Sequence, residues 1–263
     1  MTGNKQKGGL ILQERDLNFL RALADFRVVD REIAKLIGDF HSTTRVNVRL
    51  LHLYQAGLLR RFFLGSTGAG SKALYSLSAK SAQLVGQPLR GPRRPNDSQL
   101  ATDFYVVHQL AVNRIHCCFQ FCPIPIPSVH FQRWLTFFEP IPGLQLIPDG
   151  HLELRASENV VAAFLEVDLG HERRHIWKKK VDNYVRFALS GNHDKQFGQS
   201  RFRVLVVANS DRHMHSIRKT VAGVTDRVFW FTTMERINNG SLFDPIWFRV
   251  KGTEQLPLIK EVP

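Results

Sequence analysis

Apolar residues recur at helical spacing three times within the first sixty positions. Leu17, Leu20, Leu23 and Ala24 mark a helix over residues 14–26. Asp30 is a good N-cap for a second helix at Arg31–Ile37, closed by Gly38, and Ser42-Thr43-Thr44 opens a third that runs to about Ala56 with Gly57 as its stop. The period then changes. Leu58–Leu64 and Lys72–Leu77 read as two strands around the glycine-rich tip from Gly65 to Gly70. Residues 86–96 are rich in Pro, Gly and Arg and read as a linker. Asp97-Ser98 can cap a long apolar helix through about Cys118, after which Pro123, Pro125 and Pro127 forbid regular structure. Beyond them the pattern predicts strands at Arg133–Phe138, Leu144–Leu154, Val160–Leu169, Arg203–Ala208 and Arg227–Phe231, with helices at Glu172–Leu189 and His213–Ala222. Three strands before the first crossover helix predict a mixed sheet. The expected class is α+β: an N-terminal domain over residues 10–85, a basic linker over 86–96, and an α/β domain over 97–250 around a mixed central sheet.

Charge sharpens this picture. The chain has 263 residues, 36 of them Lys or Arg against 23 Asp or Glu, a formal net charge of +13. Residues 1–100 hold 16 basic and 7 acidic side chains, net +9, which leaves 20 and 16, net +4, for the rest. So uneven a positive field favours a polyanionic partner, and the N-terminal third carries the footprint. A hydrophobic share of 43% excludes global disorder. No run approaches the roughly 18 apolar residues of a membrane span, and the first residues contain no signal-peptide core, so a cytoplasmic protein is expected. Cys117, Cys118 and Cys122, crowded into one apolar segment, read as reduced thiols and not as a disulfide framework or a zinc site.

On the third helix Val46, Leu50 and Leu53 share an inward arc, and the opposite arc presents His41, Thr44, Arg45, Val48 and His52, with Asn47 and Arg49 at its flanks. Such a face can enter the major groove, with Arg60, Arg61 and Lys72 of the hairpin on phosphates. Three helices and a hairpin whose return strand reads ALYSLS resemble a winged helix over roughly residues 12–80. A winged helix used for protein contacts is the alternative.

The C-terminal part gathers acids on apolar strands. Asp149 sits on one, Glu166 and Asp168 two apart on the next, and alternation puts the latter pair on one face. Three carboxylates so placed could hold Mg²⁺ or Mn²⁺, which activates water and stabilises phosphoryl charge. An ordinary turn at Asp149-Gly150, with the other acids at an exposed strand end, is the competing account.

Order and spacing carry a resemblance. VVHQLAVNRIH at 106–116, LIPDGHLEL at 146–154, FLEVDLGHE at 164–172, KVDNYVRF at 180–187 and RVLVVANS at 203–210 resemble the plasmid replication-relaxation family, and the acidic strands resemble the PD-(D/E)xK nuclease fold. The resemblance implies a DNA-binding protein of plasmid or mobile-DNA replication and maintenance. Metal-dependent cleavage of DNA phosphodiesters is one form of that role, and a non-catalytic regulator on a degenerate nuclease fold is another. It implies DNA as partner, and beyond DNA a second copy of the chain or a replication or mobilisation protein. Where the nuclease pattern wants Lys, this chain has Asp168. Lys180, about 60–70° from the centre of the stripe formed by Trp177, Val181, Tyr184 and Ala188, is the best substitute, and Lys180-x3-Tyr184 is similar to the Gln-x3-Tyr signature of exonuclease-type members. The expected catalytic set is Asp149, Glu166, Asp168 and Lys180, with the three acids as metal ligands.

His171-Glu-Arg-Arg-His175 also matches HExxH, a zinc peptidase pattern. Both intervening residues are Arg, the motif opens its helix directly after a strand, and no third ligand is evident, so no zinc is expected. His213 and His215, two apart on a helix, read as surface residues.

Overall fold

The computed structural model describes residues 10–64, 72–90 and 99–260. The Gly65–Gly70 tip, most of the linker and the Asp97-Ser98 cap lie outside the described residues. The described chain is mixed α and β, in two compact units.

The first unit contains α1 (Glu14–Phe26), β1 (Val29–Asp30), α2 (Arg31–Ile37), α3 (Thr43–Gln55), β2 (Leu59–Leu64), β3 (Lys72–Leu77), α4 (Ala79–Leu84) and α5 (Gln99–Gln120). Its antiparallel sheet runs β1-β3-β2. The predicted stripes are buried, Leu20 and Leu23 of α1 and Val46, Leu50 and Leu53 of α3, and Ile33 of α2 is buried as well. Asp30 caps α2, accepting from Ile33 N at 2.8 Å, and also pairs with Lys72 of β3.

The units divide between Cys117 and Cys118, inside α5, whereas the sequence puts the boundary in the 86–96 stretch. Side chains of α5 explain this. Asn113, 2% exposed, donates from Nδ2 to the carbonyls of Phe26 at 2.8 Å and Val28 at 2.7 Å, and the His116 ring stacks on Phe26 at 4.6 Å between centroids. Those carbonyls flank Arg27, whose φ of 63° breaks the helical repeat at the end of α1. The motif at 106–116 therefore closes the end of α1.

The second unit contains β4 (Val129–Leu135), β5 (Gly150–Ala156), β6 (Asn159–Asp168), α6 (Arg174–Leu189), α7 (Asn192–Phe197), β7 (Phe202–Ala208), α8 (Asp211–Ala222), β8 (Phe229–Thr233), α9 (Met234–Asn239), β9 (Trp247–Arg249) and β10 (Gln255–Leu256). A mixed seven-stranded sheet runs β10-β9-β8-β7-β6-β5-β4, with β6-β7 and β7-β8 parallel and the other pairings antiparallel. Ala162 and Phe164 of β6, Val204 and Val206 of β7 and Phe231 of β8 pack with Trp177 and Val181 of α6 and Ile217 of α8 in the core.

Two expected strands are misplaced. Residues 144–149 are not strand. Leu144 N and Gln145 N both donate to the Ile141 carbonyl, Gln145 has a φ of 58°, and Leu144 and Leu146 join the core from a turn. β4 begins at Val129, four residues before the expected Arg133, because Val129 pairs with Ala156 as soon as the proline run ends. Gly150, where β5 begins, admits the Trp134 indole so closely that a Cβ would stand 2.1 Å from it. Behind β5 a histidine pair is sealed among aromatic rings. His151 Nε2 lies 3.4 Å from His193 Nε2, and Phe197 stacks on His151 at 4.4 Å between centroids. Burial, aided by the His193 and Arg133 charges, pushes the His151 pKa down to about 3.

Asn113→Ala should destabilise the protein by about 1–3 kcal/mol, because it removes two buried hydrogen bonds to the carbonyls beside Arg27. Urea unfolding of the variant checks this; an unchanged midpoint would refute the closing role of α5.

Candidate functional site

Strand alternation turns Ala162, Phe164, Glu166 and Asp168 toward α6. Helical spacing buries Trp177, Val181 and Tyr184 of α6 and leaves Lys180 beside that stripe at the level of Glu166. The predicted partner therefore arrives. Lys180 Nζ donates to Glu166 Oε2 at 2.8 Å and to Glu172 Oε1 at 2.5 Å, and Tyr184 Oη donates to Glu166 Oε1 at 2.5 Å. The Glu166 side chain is 3% exposed and that of Lys180 16%. Asp149 is pinned along β6: its N donates to the Leu165 carbonyl at 3.0 Å, and its Oδ2 accepts from Val167 N at 2.8 Å.

Three carboxylates thus face one ammonium. Burial pushes the Glu166 carboxyl above the ordinary range; Lys180 opposes the shift, and Asp149 and Glu172 reinforce it. Burial raises Glu172 in the same way, again against Lys180. Lys180 moves upward too: burial alone would lower it, but the fields of Glu166, Glu172 and Asp149 outweigh burial, and the amine stays protonated. The surplus is negative. Glu172 Oε2, moreover, is buried with no hydrogen-bond partner.

Asp168 lies on the predicted face but does different work from that expected. Its Oδ1 accepts from Gly170 N at 2.9 Å and His171 N at 3.2 Å, and its Oδ2 lies 2.6 Å from Trp177 Nε1 and 2.8 Å from His213 Nε2. Burial works against ionisation, but the bonds from Trp177, His213 and Gly170 prevail and hold this carboxyl below its usual range. A carboxylate so filled with N–H donors anchors the loop before α6, where the sequence expects the third of three metal ligands. Gly170 makes the loop possible: its φ is +98°, and a Cβ would meet Asn209 Nδ2 at 2.7 Å.

Two residues of this neighbourhood escape the sequence reading. Glu172 reads there as the acid of a peptidase motif, yet it turns inward to Lys180. His213 reads as a surface residue, yet its imidazole pairs with Asp168 and its side chain is 21% exposed. The HERRH motif straddles the loop and the first turn of α6, with His171 before the helix and His175 exposed on it, so the two rings do not share one helical face. Among the described residues no three His, Cys, Asp or Glu side chains stand close enough together to hold a metal ion as placed. Cys117, Cys118 and Cys122 are free thiols.

In the first unit Thr44, Arg45 and His52 are exposed on α3, and Arg60 and Arg61 on β2. Arg61 lies over the Tyr54 ring, 4.3 Å from its centroid. Arg49 departs from expectation. Its Nε donates to Asp16 Oδ1 at 2.8 Å, its Nη2 to Asp16 Oδ2 and, at 2.8 Å, to the Ile11 carbonyl. Asp16 is 1% exposed, so this guanidinium clamps α3 to α1 and is not free for a ligand. Lys72, half exposed, leans on Asp30. The outward face of α3 is also less polar than its basic residues suggest, with Val48 47% and Leu51 40% exposed.

The chain belongs to the replication-relaxation family, whose pattern matches residues 20–200. That stretch takes in α3, the small sheet, α5 and the whole cluster around Lys180. Neither a curated protein nor a solved structure matches the chain. Among the described residues no helix is long and apolar enough to cross a membrane.

Lys180→Met should cost on the order of 3 kcal/mol, since it leaves buried carboxylates uncompensated. Carboxyls with raised pKa values favour the folded state below their unfolded pKa, and that contribution fades as pH rises through the folded value. The penalty should therefore be larger at pH 8 than at pH 5. Chemical denaturation at both pH values decides; a penalty independent of pH would mean that the ammonium is not what neutralises the acids.

Proposed function

We propose that the protein acts on plasmid or other mobile DNA during replication or relaxation, binding duplex through the first unit and cleaving a phosphodiester at the second. The family match supports the biological setting. The first unit is read as a winged helix, with Thr44, Arg45 and His52 of α3 toward base edges and Arg60 and Arg61 toward phosphates, where exposure leaves them accessible. The second is read as a PD-(D/E)xK-like core.

One observation carries the catalytic half: an acid on β6 and a lysine on α6 meet at 2.8 Å, at the end of the parallel strands. The lysine missing two residues after Glu166 is thereby replaced from the next helix. Asp149, Glu166 and Glu172 suit a hard divalent cation by the chemistry of their oxygens, by their surplus of negative charge, and by the unpartnered Glu172 Oε2. Mg²⁺ or Mn²⁺ bound there would supply a Lewis acid and lower the pKa of water. Lys180 is placed to stabilise the added negative charge as water adds to phosphorus and one P–O ester bond breaks. Tyr184 fixes the Glu166 carboxylate against rotation.

The non-catalytic reading also has an observation behind it. The lysine's ammonium is already neutralised by two carboxylates, and Asp168 is spent on its loop. In that case the cluster is a structural relic on a DNA-binding protein.

Millimolar Mn²⁺ should raise the melting temperature, more strongly at higher pH because the raised carboxyls of Glu166 and Glu172 bind the cation only when deprotonated, and Asp149→Asn with Glu166→Gln should abolish the rise. Nicking of a supercoiled plasmid should disappear in Lys180→Ala. Metal stabilisation without nicking selects the non-catalytic reading, and no metal effect at all removes the carboxylate site.

Arg45→Ala and Arg60→Ala should each weaken duplex binding several-fold and flatten its salt dependence. Fluorescence anisotropy across a salt series measures both. Unchanged affinity in the double variant would move the DNA surface elsewhere.

A further inference from the structure

At the opposite end of the parallel strands from Glu166, where β6 and β7 begin, lies a cavity of about 450 Å³. Four residue steps along β6 separate Ala162 on its wall from Glu166, roughly 13 Å at strand rise. Val160, Val161 and Val228 give it an apolar wall, and Arg201, Arg203 and Arg249 give it charge.

The sheet register brings these arginines together. Arg249 of β9 pairs with Trp230 of β8, and its guanidinium lies 3.8 Å from the indole centroid. Arg203 of β7 reaches the same indole at 4.5 Å. Two like charges therefore share one aromatic ring, and no carboxylate within ion-pair distance neutralises Arg201, Arg203 or Arg249 among the described residues. The bond Arg203 makes is to the Leu258 carbonyl, which spends one of its five N–H donors. Burial, together with the Arg249 charge, depresses the Arg203 pKa to about 10, so the cation stands at an energetic cost that an anion would relieve.

The apolar lining adds an independent sign. Val228 has a φ of 59°, a conformation that a β-branched residue adopts at a penalty of a few kcal/mol. Its carbonyl is held by Val204 N at 2.8 Å, so the strain is fixed in place at the cavity edge.

We propose that this cavity is a phosphate-binding site distinct from the acidic cluster, taking the phosphate of one nucleotide unit, either a free nucleoside monophosphate or the terminal phosphate of a DNA strand. The guanidinium forks of Arg203 and Arg249 meet the phosphate oxygens, and the valine wall takes the sugar or base. The volume is that of a small-ligand site, too small for a duplex.

Isothermal calorimetry on the full chain tests this with four probes: dAMP, deoxyadenosine, a 5′-phosphorylated ten-residue single strand, and the same strand without the phosphate. The expected result is binding that requires the phosphate and weakens at least tenfold in Arg203→Gln with Arg249→Gln. Binding of dAMP identifies a free nucleotide as ligand; binding of the phosphorylated strand alone identifies a strand end. The unphosphorylated strand subtracts whatever the first unit contributes. Should the double variant fail to fold, the exposed Arg201→Gln replaces it, with a loss of about threefold expected. Equal affinity for probes with and without phosphate, undiminished binding in the variants, or no binding at millimolar concentration would overturn the proposal.

Discussion

A single ammonium set among three acids governs the arrangement of β6, the loop after it and α6. Glu166 and Glu172 approach each other only because Lys180 stands between them, and Lys180 enters so dry a place only because they are there. Neither side is stable without the other: an isolated buried charge costs several kcal/mol in a medium that cannot solvate it. The helix therefore has one permitted rotation against the sheet. That rotation also brings Trp177 to Asp168 and Tyr184 to Glu166.

Asp168 supplies the complementary constraint. Its carboxylate collects donors from the loop and helix that follow it in sequence and from α8 much further along the chain. With both oxygens filled it stays ionised, in contrast to its neighbour two residues back, whose carboxyl is pushed the other way. One strand thus carries two acids on one face with opposite tendencies: one fixed as an anchor, the other left with charge to share. The acid two residues after Glu166 thus serves a structural task, and the cation that meets Glu166 comes from the next helix.

Much of this was legible in the chain. Helical spacing alone places Lys180 beside the stripe of Trp177, Val181 and Tyr184, and strand alternation alone places Glu166 and Asp168 together. What was not legible depends on backbone geometry that spacing does not encode. Glu172 lies before α6 begins, and its direction follows from the left-handed turn at Gly170. His213 reaches Asp168 through the placement of α8 against β6, a contact between residues 45 positions apart. Leu144 and Leu146 are as apolar as strand residues, but a buried turn takes the same composition, and Gln145 settles the difference through its φ. Arg49 sat correctly at the flank of its helix, yet nothing local reveals that Asp16, 33 residues earlier, claims it. The very short β1, β9 and β10 fall below any periodic signal.

The sealed pair of histidines behind β5 has a bearing on the life of the protein in acid. At neutral pH both rings are uncharged and pass for ordinary aromatic filling beside Phe197 and Phe164. In the unfolded chain the same rings take up protons near 6.5, well above the value of about 3 to which burial holds His151. Each step of acidification below the higher value therefore rewards the open chain over the closed one, and the reward stops growing only near the lower. The second unit carries an acid fuse beside β5: silent near neutral pH, it favours release of the aromatic cage from within once the surroundings turn sour.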